Sequence, residues 1–217
     1  MKHSNFRRHL LSLFLISLLC SNLYGQNRLN SRLFYLKPPL FISKTKIEDF
    51  NISKYKIFIS PPVDSRSKYY GEYAYKKKKV QLLDEFFQLP TMEEIQRKIH
   101  HDFSLFGMKD DKDSSKEILQ ISSNIEVFYP DVRGFIWAKS FAKVRLILTG
   151  TLNEKELINR KYESFYITDG TDKEFEGSML MTIEEGANVT IGIALRKALD
   201  DFYLDLKNEL LTHKSQD

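Results

Sequence analysis

Histidine is the first residue type to consider, because the chain offers few other candidates for a general base. Beyond residue 25 the only histidines are His100, His101 and His213. His100 and His101 fall in a predicted helix, where adjacent side chains point about 100° apart. They cannot share one metal ion as the i and i+4 histidines of an HExxH zinc site do. The sequence therefore predicts no metal site.

Motifs for the common catalytic and cofactor-binding sites are also missing. The chain has no G-x-S-x-G nucleophile elbow, no P-loop and no G-x-G-x-x-G dinucleotide fingerprint. The aspartates between residues 110 and 113 lack the glycine and the distal glutamate of a calcium loop. We therefore expect no catalytic residue, no cofactor and no enzymatic activity.

One candidate binding loop follows the first predicted strand. Asp64 and Arg66 are spaced either to pair with each other, which would fix the loop, or to meet a ligand. Tyr73, Tyr75 and Lys77 belong to a Tyr- and Lys-rich stretch whose lysine run could contact anionic lipid head groups or glycan phosphates. The alternative is that this stretch is a solvated surface loop.

A second candidate is a cluster of aromatic residues on a later strand. Three aromatic residues of this strand lie on the same face as Lys139 and Lys143, namely Phe135, Trp137 and Phe141. This is the face that we expect to be exposed to solvent. An aromatic centre with a cationic rim is typical of interface hot spots, so we predict a partner-docking surface here. The alternative is that residues 26–53 or 61–90 cover this face.

The N-terminus predicts export. A basic start, MKHSNFRR, precedes an apolar run from Leu10 to Leu19 and then polar residues, as in a secretory signal peptide of residues 1–25. The run has about ten residues, whereas a membrane-spanning helix needs roughly 20, and no later segment is apolar over that length. We expect a location in the periplasm or on the periplasmic face of the outer membrane, without a transmembrane helix.

Cys20 is the only cysteine and ends this apolar run. It is a candidate for the lipid attachment that anchors bacterial lipoproteins. Leu19 stands before it, however, where such sites normally have a small residue. The alternative is that Cys20 is an apolar residue of the signal peptide and is removed with it.

Composition and charge limit the class of protein further. The chain has 217 residues, of which 42% are hydrophobic and 29% are charged, as in a globular protein. Lys2, Arg7 and Arg8 are 3 of the 33 basic residues, so 30 remain beyond residue 25 against 29 acidic residues. This balance disfavours nucleic acid as a partner. We expect a lead-in over residues 26–53 and a single domain over residues 54–217.

Two helices are predicted from the hydrophobic pattern. The first covers residues 91–106, with a capping box of Thr91 and Glu94 at its start and Gly107 at its end. The second covers residues 182–211 and has the longest apolar stripe in the chain. Each stripe needs a sheet or another helix to cover it.

Four strands complete the prediction. The first covers residues 55–59 and ends at Pro61-Pro62. The second alternates Leu119, Ile121, Ile125, Val127 and Tyr129 on one face and ends in a turn at residues 130–134, while the others cover residues 135–149 and 157–168. The order strand, helix, three antiparallel strands, helix predicts an α+β two-layer sandwich, in which a mainly antiparallel sheet has both helices packed on one face.

These features together resemble the periplasmic domains of the ABC-type transport auxiliary lipoproteins and related uncharacterised outer-membrane lipoproteins. The resemblance covers about residues 54–211. It rests on the strand that runs into Pro-Pro-Val-Asp-Ser-Arg, the helix that ends in Phe-Gly-Met, the Gly-Phe-Ile-Trp of residues 134–137 and the C-terminal helix. The resemblance implies a non-enzymatic envelope protein that associates with lipid transport or outer-membrane assembly. It brings no catalytic residues, and the residue before Cys20 departs from the family pattern.

Two functions follow as expectations. The first is an adaptor or accessory subunit that docks on an envelope protein complex of lipid transport or outer-membrane assembly. The alternative is a periplasmic carrier that holds a small ligand, a lipid or a glycan, between the sheet and the C-terminal helix. The carrier requires a cavity, and the bulky apolar stripes predict that this space is filled.

Overall fold

The computed structural model describes residues 52–66, 90–108, 116–133, 139–168 and 183–214. The predicted signal peptide with Cys20 and residues 26–51 of the predicted lead-in lie outside the described residues. In chain order the elements are β1 (Lys56–Ile59), β2 (Val63–Asp64), α1 (Thr91–Leu105), β3 (Ile118–Arg133), β4 (Lys139–Leu152), β5 (Lys155–Thr168) and α2 (Ile183–Lys214). Every predicted helix and strand is present, and β2 is an additional short strand.

The five strands form one mixed sheet in the order β1-β3-β4-β5. β1 and β2 both run parallel to β3, with Ile57 opposite Leu119 and Val63 opposite Asn124, so they form one edge strand that is interrupted at Pro61-Pro62. The β3–β4 and β4–β5 pairs are long and antiparallel. The mainly antiparallel sheet is therefore confirmed.

Both helices pack on the same face of the sheet, since side chains of the two helices and of the sheet join one buried core. Its members include Ile95, Ile99 and Phe103 of α1, Leu119, Ile121, Val144 and Leu146 of the sheet, and Ile191, Leu195, Phe202 and Leu206 of α2. The predicted α+β two-layer sandwich is confirmed. Burying these apolar stripes is the main source of stability that the described elements offer.

The two ends of α1 differ in how well the sequence predicts them. The C-terminal end is as expected: Gly107 has φ 91°, and the Met108 N–H donates to the Phe103 carbonyl at 2.9 Å, as in a Schellman motif. The predicted capping box at the other end is wrong. Pro90 is the N-cap residue and makes no side-chain cap, while Thr91 is already the first helical residue. Its hydroxyl accepts from Arg66 instead.

β3 departs from the predicted alternation at a bulge. Ile125 lies opposite Leu146 and Val127 lies opposite Arg145, so Glu126 is an extra residue that shifts the register. Val127 and Tyr129 therefore leave the core face on which the sequence placed them, and Phe128 takes that face opposite Val144. The prediction of one continuous face was wrong, because a strict alternation cannot anticipate an inserted residue.

The turn predicted at residues 130–134 is also wrong. β3 continues through Pro130 to Arg133, in register with β4 back to Lys139. Among the described strands, β4 is the only neighbour of this last part of β3, because β2 ends opposite Ile125. A proline is tolerated in such a strand when its missing N–H faces away from the neighbour.

The turn between β4 and β5 is tighter than predicted. Asn153 and Glu154 form a two-residue connection with φ of 47° and 69°, the left-handed backbone that a type I′ hairpin needs. The Asn153 side chain also accepts a hydrogen bond from the Ile118 N–H at 2.9 Å. β5 consequently begins at Lys155, two residues before the predicted start at Leu157.

Candidate functional site

The face of the sheet opposite the two helices, called the outer face here, carries a row of three aromatic rings. Tyr129 of β3 and Phe165 of β5 both lie opposite Lys143 of β4, and Phe141 lies two residues away on the same face. The ring centroids are 6.4 Å apart for Tyr129 and Phe141 and 6.2 Å apart for Phe141 and Phe165. These distances lie in the range of favourable aromatic contacts. We call these three residues the aromatic row.

The row is open to solvent at its β5 end. Phe165 is 58% exposed and the neighbouring Ile167 is 49% exposed, whereas Tyr129 is only 9% exposed. Large apolar side chains that cluster at the surface mark interaction sites more often than scattered ones do. The accessible part of this surface is therefore the β5 side of the row.

Charged side chains adjoin the row on the same face. Lys143 Nζ lies 2.8 Å from Glu163 Oε1, and Arg145 contacts the other oxygen of the same carboxylate. Burial alone would raise the pKa of Glu163, but the hydrogen bonds from the two cations outweigh it and lower this pKa. Lys161 makes a further ion pair, at 2.8 Å, with the bulge residue Glu126. Lys143 of the predicted rim thus shares the Glu163 carboxylate with Arg145.

The structure places part of the predicted docking surface on this face. Phe141 and Lys143 lie there together, and β4 keeps the predicted parity, since Ala142, Val144 and Leu146 are buried on the helix side. Lys139 belongs to β4, but its side chain is outside the described residues. Phe135 and Trp137 also lie outside them, so their role stays a prediction.

The sequence-based prediction missed Tyr129, Phe165 and Ile167. A signal for the last two was present, because Phe165 and Ile167 share the parity of Lys161 and Glu163, opposite to that of the buried β5 residues. Tyr129 had no such signal. Its assignment to the core followed from the alternation that the bulge interrupts.

Asp64 and Arg66 of the predicted loop site pair with each other. The Arg66 guanidinium donates to both Asp64 carboxylate oxygens, at 2.9 Å and 3.1 Å from Nε, and also to the Thr91 hydroxyl at 2.8 Å. This arrangement ties the end of β2 to the first turn of α1. Of the two alternatives, the geometry shows the one in which the pair fixes the chain. Tyr73, Tyr75 and Lys77 lie outside the described residues.

A buried charge cluster lies between α1 and α2. Lys98 Nζ contacts both oxygens of the Asp102 carboxylate, one helical turn away, and the Tyr203 hydroxyl of α2 donates to Asp102 Oδ2 at 2.9 Å. Burial lowers the pKa of Lys98 against the opposing charge of Asp102. Burial and the same charge raise the pKa of Tyr203. The three polar groups thus satisfy one another in a buried site.

Lysine, aspartate and tyrosine often take part in catalysis, but burial separates these three side chains from any substrate. Lys98, Asp102 and Tyr203 are each 1% exposed or less, so no substrate reaches them in this conformation. His101 Nδ1 lies 3.5 Å from Asp102 Oδ1, and the His101 side chain is partly exposed. The geometry supports a polar link that fixes the position of one helix against the other.

The space between the sheet and α2 is closed at Gly150, near the end of β4. A Cβ atom at Gly150 would lie 3.0 Å from Leu206 of α2 and 3.0 Å from Ile158 of β5. The glycine therefore leaves room for the Leu206 side chain, and a larger residue would require Leu206 or Ile158 to shift. At this position the layer has no room for the ligand that the carrier alternative requires.

Two further properties hold for the described part of the chain. No group of three His, Cys, Asp or Glu side chains is placed there to hold a metal ion. None of the helices in these ranges has an apolar stretch that would let it cross a membrane. The absence of enzymatic activity stays a prediction.

Comparisons with known proteins give a limited result. No protein-family model and no curated protein matches the chain. A Xanthomonas campestris protein described under the family model DUF330 is similar in structure, with 10% identity and a TM-score of 0.49 over 85% of this chain and 96% of that chain. A hypothetical protein of Chlamydia trachomatis has 7% identity and a TM-score of 0.39 over 70% and 95% of the two chains. The resemblance to transport auxiliary lipoproteins therefore stays a prediction.

Proposed function

We propose that this chain is a non-enzymatic, exported protein of the bacterial cell envelope that acts as an adaptor or accessory subunit of a lipid-transport or outer-membrane assembly system. It docks on its partner through the outer face of the sheet. The observation that carries the proposal is the aromatic row, whose rings are in mutual contact and whose β5 end is open to solvent.

The row has the composition of a binding hot spot. Aromatic and arginine residues are enriched at the centres of interfaces, where a few anchors provide most of the binding energy. Here Phe165 and Ile167 are the exposed anchors, and Arg145 and Lys143 lie beside them. Glu163 already holds both cations in place, so a partner would meet a surface whose side chains are ordered before binding.

The envelope location rests on the sequence. The basic and apolar regions of residues 1–25 are those of a signal peptide, and the family resemblance points to the same compartment. Membrane association would come from lipidation of Cys20 or from docking on a membrane complex.

The experiment is recovery of partners from envelope membranes by the affinity-tagged chain. Phe165→Ala should weaken recovery strongly, because truncating an anchor of this kind costs at least about 2 kcal/mol of binding, or roughly a thirtyfold loss of affinity. Trp137→Ala is the corresponding variant in the segment between β3 and β4. Leu211→Ala is the matched control, since Leu211 is 56% exposed but lies on α2.

The control variant should recover partners as the unmodified chain does, and all variants should keep their unfolding temperature. If Phe165→Ala leaves recovery unchanged while the fold is intact, the docking surface is not the outer face. If Leu211→Ala causes the same loss, the effect of Phe165→Ala is not specific to the aromatic row.

A further inference from the structure

We draw no further inference here: the strongest candidate, the exposed apolar patch of Phe58 and Ile118 on the outer face where β1 pairs with β3, carries none because nothing in the described part of the chain shows what covers it.

Discussion

Asp102 joins the two helices through a buried polar contact. Its carboxylate has no exposure to solvent and receives donors from Lys98 on its own helix and from Tyr203 on α2. The spacing of Lys98 and Asp102 is visible in the sequence as an i, i+4 pair on the apolar side of α1. The contact with Tyr203 spans 101 positions and depends on tertiary packing, so the sequence alone did not predict it.

Tyr203→Phe should lower the free energy of unfolding by about 1–3 kcal/mol, because the buried Asp102 carboxylate loses a donor. Tyr162→Phe is the matched control. The Tyr162 hydroxyl donates to Asp205 at 3.0 Å, but this carboxylate is partly exposed and also binds Arg160. Urea unfolding measures both variants. A cost for Tyr203→Phe no larger than for Tyr162→Phe would mean that the buried cluster does not stabilise the helix contact.

Glu163 makes the outer face sensitive to acid. Its pKa is lowered in the folded chain, so its contribution to stability is present above the pKa of the unfolded chain and is lost as the pH falls through the folded-state pKa. Glu163→Gln should cost less than about 1 kcal/mol at neutral pH, since the pair is partly exposed. The variant should also lose less stability on acidification than the unmodified chain. Urea unfolding over a pH series measures this difference, and parallel curves would contradict it.

At the scale of elements, hydrophobic periodicity predicted every helix and long strand within a few residues. It succeeded for α2 and β4 because a regular stripe or alternation continues along each of them. It failed within β3, where Glu126 is inserted and the following residues change faces. Tyr129 of the aromatic row was missed for the same reason, since it reaches the outer face through this bulge.

Replacing a buried residue of α2 with aspartate tests whether this helix packs on the sheet. Ile191→Asp or Leu195→Asp should destabilise the fold by several kcal/mol, because both side chains are buried in the core and a carboxylate there would lack a partner. Leu204→Asp is the matched control on the same helix, at a position that is 47% exposed. Thermal unfolding decides the comparison. Similar midpoints for all three variants would contradict the packing of α2.

At the scale of the whole molecule, the two faces of the sheet differ. One face packs against the helices in the core, and the other carries the proposed docking surface. The helices cover the core face and close it at Gly150, while the outer face has charged pairs and the aromatic row. The sequence predicted this division, since β4 alternates apolar and mostly polar residues. It could not predict which aromatic residues meet on the outer face, because that depends on the register of three strands.

The most direct test of docking by the outer face is site-specific photocrosslinking in living cells. A photoreactive residue replaces Phe165 in one strain and Leu211 in another, and the crosslinked products of the envelope fraction are identified by mass. We expect a product with a different envelope protein from position 165 and none from position 211. If both positions give the same products, or if position 165 captures only a second copy of this chain, the outer face is not the docking surface for an envelope partner.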